Sequence, residues 1–196
     1  FTKGIEKILN EYQIKLIGGD VTFGEINICV NVFGYPYDKI ITRSGAKIDD
    51  SIFLTGPLGK GRRGLIDWKA NKKSSYVTMF FNPITQFKNA ENIAKYATSC
   101  VDISDGLIKD LGSICKLSEV GADINIDMIP ITQDIDDLCY GDDYELCFTC
   151  KKKHDNFAKE QGFSKIGYIT SKVGIVEFRK KNELINFKTV GWDSFE

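Results

Sequence analysis

The stretch Asp102-Ile103-Ser104-Asp105-Gly106-Leu107 places two carboxylates around a serine, directly before a helical pattern that runs to Leu117. Alternation at a strand end sends Asp102 and Ser104 to the same side, and Asp105 then caps or begins the helix. A helix cap explains only one of the two aspartates. Mg²⁺ binds one or two carboxylates together with substrate phosphates, and a helix N-terminus can also dock a phosphate. The stretch therefore predicts a site for magnesium and a nucleotide phosphate.

Two other turns are consistent with the same chemistry. Gly18-Gly19-Asp20-Val21-Thr22 combines glycines, which let the backbone approach a phosphate, with a carboxylate that can bind a hard cation. The alternative for Asp20 is an Asx turn that leads into a strand. Gly141-Asp142-Asp143-Tyr144-Glu145-Leu146 is the second turn, and it could equally be a plain turn before a strand.

Around these turns, helical and strand patterns follow one another without a regular βαβ repeat, which favours an α+β fold with helices packed on a mostly antiparallel or mixed sheet. The break at residues 34–38 is the best candidate for a domain boundary. Helices are predicted over residues 3–12, 60–70, 88–99, 107–117 and 153–161. Strands are predicted over residues 26–32, 51–55, 123–126, 145–149, 165–169 and 174–178.

Composition restricts the class of protein. The chain has 196 residues, 42% of them hydrophobic, and a net charge of −1, as expected of a soluble globular protein. Its apolar runs are shorter than the ~20 residues of a membrane helix, and the first residues lack the layout of a secretory signal. Cys147 and Cys150 have CxxC spacing, but a second such pair is missing and a strand would point them to opposite faces. We therefore expect reduced thiols, a cytoplasmic location and no membrane partner.

Charge is unevenly distributed along the chain. Residues 39–88 hold ten Lys/Arg against three Asp/Glu, and residues 100–145 hold two against twelve. The basic residues between 60 and 73 are not interleaved with stacking aromatics apart from Trp68, so they predict a solvated helix face and no nucleic-acid partner. The aspartates at 134, 136 and 137 are typical of an ordinary acidic loop.

Two single residues are weaker candidates. Arg43 could contact a nucleotide, although a lone surface cation is the simpler explanation. Trp192 could stack on an aromatic ligand or merely hold the chain end against the core. The chain has neither a GxxxxGK[ST] loop nor a Ser-His-Asp arrangement, and its single histidine leaves little room for imidazole acid–base chemistry.

The motifs together resemble the thiamine-monophosphate kinase family, within the superfamily of aminoimidazole ribonucleotide synthetase and selenophosphate synthetase. The motifs at 141–146 and 191–195 separate the thiamine branch from its relatives. In chain order, the matching pieces are Gly-Gly-Asp-Val-Thr at 18–22, Arg-Ser-Gly-Ala at 43–46, Thr-Gly-Pro-Leu-Gly at 55–59, Asp-Ile-Ser-Asp-Gly-Leu at 102–107, Gly-Asp-Asp-Tyr-Glu-Leu at 141–146 and Gly-Trp-Asp-Ser-Phe at 191–195.

The resemblance implies transfer of the γ-phosphoryl group of ATP directly to thiamine monophosphate, with Mg²⁺, and an aminoimidazole ribonucleotide synthetase-like C-terminal domain. It implies no catalytic side chain, because positioning and metal ions suffice. The implied ATP contacts are Gly19, Asp20, Arg43 and Ser104. The implied Mg²⁺ ligands are Asp20, Asp102 and Asp105, and the implied thiamine-phosphate contacts are Asp142 and Trp192.

The chain also departs from the family pattern. Asp142 stands where the family usually has Glu, and Asp49 stands where a glycine is common. Family members carry an earlier region with further metal ligands, so we expect residues 1–37 to be the tail of the ATP-binding N-terminal domain and residues 38–196 to be the C-terminal domain. Because the family dimerises through the N-terminal domain, we expect a homodimeric parent protein. Because the earlier region carries further metal ligands, we expect this piece alone to be inactive. The alternatives are another ATP-dependent enzyme of the superfamily and a catalytically incomplete ligand-binding fragment.

Overall fold

The structure, a computed structural model, describes residues 1–193. Ser194 and Phe195, which complete the motif at 191–195, lie outside the described residues. The chain divides into two compact units, Phe1–Tyr35 and Pro36–Glu196. Each unit is described by itself.

The first unit contains one helix, α1 (Thr2–Glu11), within one residue of the prediction. Ile5 and Leu9 are half-buried on the same side of α1, as their spacing predicts. The strand predicted over residues 26–32 is wrong, because this segment is irregular and its apolar side chains are exposed. Alternation alone does not make a strand, since a strand also needs a neighbouring strand for its backbone hydrogen bonds.

The second unit is built on one sheet of seven strands in the order β2-β4-β1-β5-β3-β6-β7. Every neighbouring pair is antiparallel except β3 and β6, which run parallel. The predicted mixed sheet is therefore confirmed. The strands are β1 (Ser51–Leu54), β2 (Ala97–Asp102), β3 (Gly121–Asn125), β4 (Leu146–Cys150), β5 (Ser164–Thr170), β6 (Val176–Lys180) and β7 (Glu183–Ile185).

Within the described part of this unit there are five further helices: α2 (Lys60–Lys69), α3 (Ser75–Phe81), α4 (Phe87–Ala94), α5 (Leu107–Ser118) and α6 (Asp155–Glu160). Short 3₁₀ turns occur at Ile126–Met128, Ile135–Cys139 and Lys152–His154. The predicted α2, α5 and α6 are confirmed within a few residues. The sequence patterns did not predict α3, although Ser74 caps it by accepting a hydrogen bond from the Val77 amide at 3.4 Å.

The helix predicted over residues 88–99 is wrong at its end. The helix α4 stops at Ala94, and β2 begins at Ala97 and pairs with β4. Tertiary pairing overrides the local pattern here, because the side chains of β2 join a buried hydroxyl network. Thr98 and Ser99 both bond the Thr149 hydroxyl, at 2.6 and 2.7 Å. In the sheet, the hydroxyl groups of Thr98 and Ser99 therefore have hydrogen-bond partners.

The sheet has an apolar layer on each face. The strand residues Ile52, Leu54 and Cys147 pack with the buried face of α5 on one side. Phe53, Phe148 and Cys150 pack on the other side with residues of α4 and α6. The prediction that Cys147 and Cys150 point to opposite faces is confirmed, and both are free buried thiols. The predicted α+β class, with helices packed on a mixed sheet, is also confirmed.

Among the described residues, no helix combines the length and the apolar character that crossing a bilayer requires.

Candidate functional site

The antiparallel pairing of β2 with β4 brings two of the sequence motifs together. Asp102 at the end of β2 lies opposite Leu146 at the start of β4. The ladder continues beyond the strands, since the Ile103 amide donates to the Glu145 carbonyl at 2.8 Å and the Tyr144 amide donates to the Ile103 carbonyl at 2.9 Å. The motif at 102–107 and the motif at 141–146 therefore lie side by side at one end of the sheet.

Asp102 is half-buried at this end of the sheet. Its carboxylate makes no hydrogen bond or salt bridge with any residue of the described chain. Burying part of a carboxylate without a partner is costly unless a cation or a hydrogen-bond donor arrives with the ligand. This arrangement suits a residue that binds a metal ion.

Asp110, one turn into α5, fixes the shape of the loop that connects β2 to this helix. Its Oδ2 accepts hydrogen bonds from the consecutive amides of Ser104, Asp105 and Gly106, each at 3.1 Å. Burial raises the pKa of Asp110, while these amide donors favour its charged form. The chain's own carboxylate thus occupies the three amides of the loop before α5, and docking of a phosphate at the N-terminus of the helix itself stays a prediction.

Asp105 contacts Lys109 and the backbone of Trp192. Its carboxylate forms an ion pair with Lys109 at 3.1 Å, and its carbonyl accepts a hydrogen bond from the Trp192 amide at 2.9 Å. The Lys109 ammonium also donates to the Trp192 carbonyl. A β-carbon on Gly191 would lie 2.7 Å from the Lys109 side chain, so only glycine permits this approach. Trp192 is thereby held beside the motif at 102–107, with its side chain exposed.

Asp142 lies on the other side of the same loop. Its amide donates to the Ser104 carbonyl at 3.1 Å, and its carboxylate accepts from the Tyr144 hydroxyl at 3.1 Å. Asp142 has a left-handed backbone with φ of 60°. Aspartate tolerates this conformation better than most residues, so the local backbone suits the Asp that stands in place of the family's Glu.

The motif at 55–59 meets the same end of the sheet through two buried acids. Asp143 accepts hydrogen bonds from the Gly59 and Gly61 amides at 2.7 and 3.0 Å. Glu145 accepts from the Thr55 hydroxyl at 2.6 Å and forms an ion pair with Lys60. A cleft opens here, with the apolar side chains of Met79, Pro83 and Ile84 facing the polar groups of Lys60, Asp142, Asp143 and Glu145.

Asp143 gives the unit a testable pH dependence. Burial raises the pKa of Asp143 from 3.8 to about 6, although the Gly61 and Gly59 amides favour its charged form. The folded chain therefore binds more protons than the unfolded chain between about pH 4 and 6, and the stability from this group falls as pH rises. Relative to Asp143→Asn, which does not titrate, wild type should lose about 2–3 kcal/mol of unfolding free energy across this window. Urea unfolding at several pH values measures the difference, and a constant difference would contradict the prediction.

Arg43, one of the predicted ATP contacts, lies elsewhere in the second unit. The Ser118 hydroxyl, at the end of α5, donates to the Arg43 carbonyl at 3.5 Å and accepts from the Gly45 amide at 3.1 Å. Ser104 lies before the start of the same helix, whose 12 residues span roughly 18 Å. The structure therefore does not bring exposed Arg43 to Ser104.

Gly19 and Asp20 belong to the first unit, where both are exposed. The Asp20 carboxylate accepts a hydrogen bond from the adjacent Val21 amide at 2.8 Å, whereas the Asx turn that was the alternative to cation binding requires the amide two residues on. Of the predicted site residues, the second unit brings five close together at one end of its sheet: Asp102, Ser104, Asp105, Asp142 and Trp192.

Mg²⁺ requires oxygen ligands, and the carboxylates near Asp102 can provide some of them. Within residues 1–193 no group of three or more His, Cys, Asp or Glu side chains is arranged to hold a metal ion. Two aspartates at one loop still fit Mg²⁺, which often binds to one or two carboxylates and takes its other oxygens from water and phosphates. Asp102 has a free carboxylate, whereas the Asp105 carboxylate would have to lose its ion pair with Lys109 in order to bind the cation.

The sequence patterns missed five residues that shape this site. Asp110, Asp143 and Glu145 are 95% buried, yet in the sequence they look like surface acids. Lys60 was predicted to lie on a solvated helix face, and Lys109 was given no role. One signal was available for Asp110, since an acid on the apolar face of a predicted helix calls for a partner.

The basic segment in α2 was also misinterpreted in part. Arg62 is only 17% exposed and pairs with Asp134 and the fully buried Asp137 at 2.6 and 2.9 Å. Its guanidinium also lies over the Tyr140 ring at 4.9 Å. The face of α2 that carries Arg62 is therefore not solvated, and the aspartates at 134 and 137 are structural partners.

Known proteins are similar to this chain in sequence and in fold. The thiamine-monophosphate kinase of Buchnera aphidicola subsp. Schizaphis graminum is 36% identical over 220 residues, covering 100% of this chain and 68% of that protein. The thiamine-monophosphate kinase of Escherichia coli strain K12 is 30% identical with the same coverage. The crystal structure of thiamine-monophosphate kinase from Stenotrophomonas maltophilia K279a matches with a TM-score of 0.63 at 26% identity, covering 74% of this chain and 54% of that chain. No family model matches.

The chain spans about two thirds of its curated relatives and about half of the solved kinase chain. Similarity of this extent to curated relatives, in a unit with the same fold, does not arise from a few shared motifs. The chain belongs to the thiamine-monophosphate kinase family.

Proposed function

We propose that this protein transfers the γ-phosphoryl group of ATP to the phosphate of thiamine monophosphate, forming thiamine diphosphate and ADP. The observation that carries the proposal is the meeting of Asp102, Asp142 and Trp192 around one loop, in a chain of this family. In this proposal Asp102 and Asp105 hold Mg²⁺, Ser104 contacts ATP, and Asp142 and Trp192 contact the thiamine phosphate.

The remaining contacts in this proposal are Gly19, Asp20 and Arg43. Gly19 and Asp20 contact ATP and Mg²⁺, and Arg43 contacts a part of the nucleotide distant from Ser104. This agrees with the separation of Arg43 from Ser104 by the length of α5. Residues 1–37 then represent the end of the ATP-binding domain, and residues 38–196 the C-terminal domain.

The proposed chemistry is a direct in-line transfer in which the side chains position and neutralise the reactants. The acceptor phosphate is already ionised near neutral pH, so the reaction needs no strong base. This is compatible with a site whose titratable groups are carboxylates, the lysines Lys60 and Lys109, and the Tyr144 hydroxyl. Bound Mg²⁺ would supply neutralisation of the phosphate charge. The motif at 102–107 contributes by holding the backbone at Ser104 and Asp105 in a fixed position through the bonds to Asp110.

The cellular setting is part of the same proposal. We place the protein in the cytoplasm, as a homodimer that forms through the N-terminal domain, because the substrates are small phosphorylated metabolites and the family assembles in this way. Sedimentation of the full-length protein tests the assembly, and a monomer at micromolar concentration would overturn it.

The direct test is ATP-dependent formation of thiamine diphosphate from thiamine monophosphate and Mg²⁺, measured with the full-length protein and with residues 1–196 in parallel. Product from the full-length protein supports the proposal. Product formed only from an aminoimidazole ribonucleotide precursor or from selenide would overturn it in favour of a related enzyme. Ligand binding without turnover by the full-length protein would favour a binding module.

Trp192→Ala should mainly weaken the binding of thiamine monophosphate, because an exposed indole packed on a ring contributes apolar contact and stacking. We expect the KM for thiamine monophosphate to rise about tenfold, with a smaller change in the KM for ATP. Trp68→Phe is the matched control, since Trp68 lies on α2 and packs against Phe81. An unchanged KM for thiamine monophosphate would remove Trp192 from the substrate site.

A further inference from the structure

The Lys109 side chain connects the two halves of the site. Its ammonium contacts the Asp105 carboxylate at 3.1 Å and also donates to the Trp192 carbonyl. Asp105 is a proposed cation ligand and Trp192 a proposed contact for thiamine monophosphate. A single side chain on the first turn of α5 therefore touches a residue from each half.

The backbone reinforces this connection. The Trp192 amide donates to the Asp105 carbonyl at 2.9 Å, so Trp192 is held to the first turn of α5 by both its amide and its carbonyl. Gly191 lies against the Lys109 side chain so closely that a β-carbon would be 2.7 Å away. The chain is therefore built to bring residues 191 and 192 against Lys109.

We propose that Lys109 is a positioning residue with opposite effects on the two ligands. It competes with a divalent cation for the Asp105 carboxylate, and it holds Trp192 in place for thiamine monophosphate. The proposal rests on the proposed function, because it takes the roles of Asp105 and Trp192 from there.

The opposite signs follow from charge and hydrogen bonding. A positive charge 3.1 Å from Asp105 repels a divalent cation and occupies one of its possible ligands, so removing the charge should strengthen cation binding. The same removal deletes the hydrogen bond to the Trp192 carbonyl, so the indole should be less well positioned and thiamine monophosphate should bind more weakly. Lys109 is 38% exposed, so both effects should be moderate.

The test uses Lys109→Met, which keeps the apolar stem of the side chain and removes the ammonium. Mn²⁺ serves as the cation probe because carboxylate sites that suit Mg²⁺ also accept it. Titration calorimetry measures the Mn²⁺ dissociation constant. Trp192 fluorescence measures binding of thiamine monophosphate in a background where Trp68 and any tryptophan outside residues 1–196 are replaced by Phe. Full-length protein is used throughout, and neither readout depends on turnover.

We expect Lys109→Met to lower the Mn²⁺ dissociation constant and to raise the thiamine monophosphate dissociation constant, each about two- to tenfold. Lys109→Arg keeps the charge and the donors, so it should keep the Mn²⁺ dissociation constant near its wild-type value and retain most of the binding of thiamine monophosphate. Lys116→Met is the matched control, because Lys116 is exposed near the other end of α5. It should change neither constant.

The outcomes separate the proposals. If both constants rise in Lys109→Met, the lysine supports the site only structurally and the competition with the cation is wrong. If neither changes while wild type binds both ligands, Lys109 has no positioning role. If wild-type protein binds Mn²⁺ but not thiamine monophosphate, the proposed function itself is overturned.

Discussion

Asp102→Asn should lower turnover of the full-length protein by at least about 100-fold while leaving the fold intact. The substitution keeps the size of the side chain and one carbonyl oxygen, but it removes the negative charge that attracts a divalent cation. Asp102 is half-buried and bonded to no described side chain, so its replacement breaks no internal contact. The loss should therefore appear in kcat, with the thermal midpoint changed little.

Steady-state kinetics with varied Mg²⁺ and a thermal melt of the same preparation measure the two effects. Asp136→Asn is a matched control, since its carboxylate is 64% exposed and its ion pair with Arg62 is long, at 3.9 Å. This control should retain wild-type turnover. Near-normal turnover in a folded Asp102→Asn protein would exclude Asp102 from the proposed cation site.

Asp110→Ala should reduce both stability and turnover. The substitution deletes the acceptor for three consecutive amides, those of Ser104, Asp105 and Gly106. Hydrogen bonds to a charged acceptor are strong, but the cost of burying the carboxylate offsets part of the gain, so we expect a net loss of about 2–4 kcal/mol. Turnover of the protein that remains folded should fall about 100-fold, because the loop that carries the proposed cation ligands loses its support.

Denaturant unfolding and kinetics at a temperature well below the midpoint separate the two effects. Asp110→Asn retains one acceptor oxygen and should recover part of both losses. Asp67→Ala is the matched control, because Asp67 is also buried but accepts from Ser74 and Arg63 in α2 and its neighbourhood. It should lose stability without losing turnover of the folded enzyme. Equal turnover in Asp110→Ala and Asp67→Ala would show that Asp110 has no special link to the site.

Much of the second unit was predictable from the sequence because its elements are locally consistent. The period of α5 is clear over three turns, and the alternation around β4 and β5 correctly predicts strands. The errors arise where distant residues decide. The first three residues of β2 were predicted as the end of a helix, since their strand character depends on pairing with β4. The segment at 26–32 alternates well but is irregular, so its pattern was misleading.

The site shows a similar division. Asp102, Ser104, Asp105, Asp142 and Trp192 were all named from the sequence, and the structure brings them to one end of the sheet. The buried acids that support them were not named, because burial depends on which strands become neighbours. Asp143 and Glu145 each receive their hydrogen bonds from residues more than 80 positions away. Contacts this distant have no trace in a local pattern.

One close contact limits how this site could be redesigned. A β-carbon on Gly141 would lie 1.7 Å from the Ser104 carbonyl oxygen, so the loops at 102–107 and 141–146 touch backbone to backbone. Neither loop can gain bulk at this contact without displacing the other. A chimera that takes only one of these loops from a relative would therefore inherit a steric mismatch. Engineering a different acceptor specificity would require the two loops to be exchanged as a single cassette.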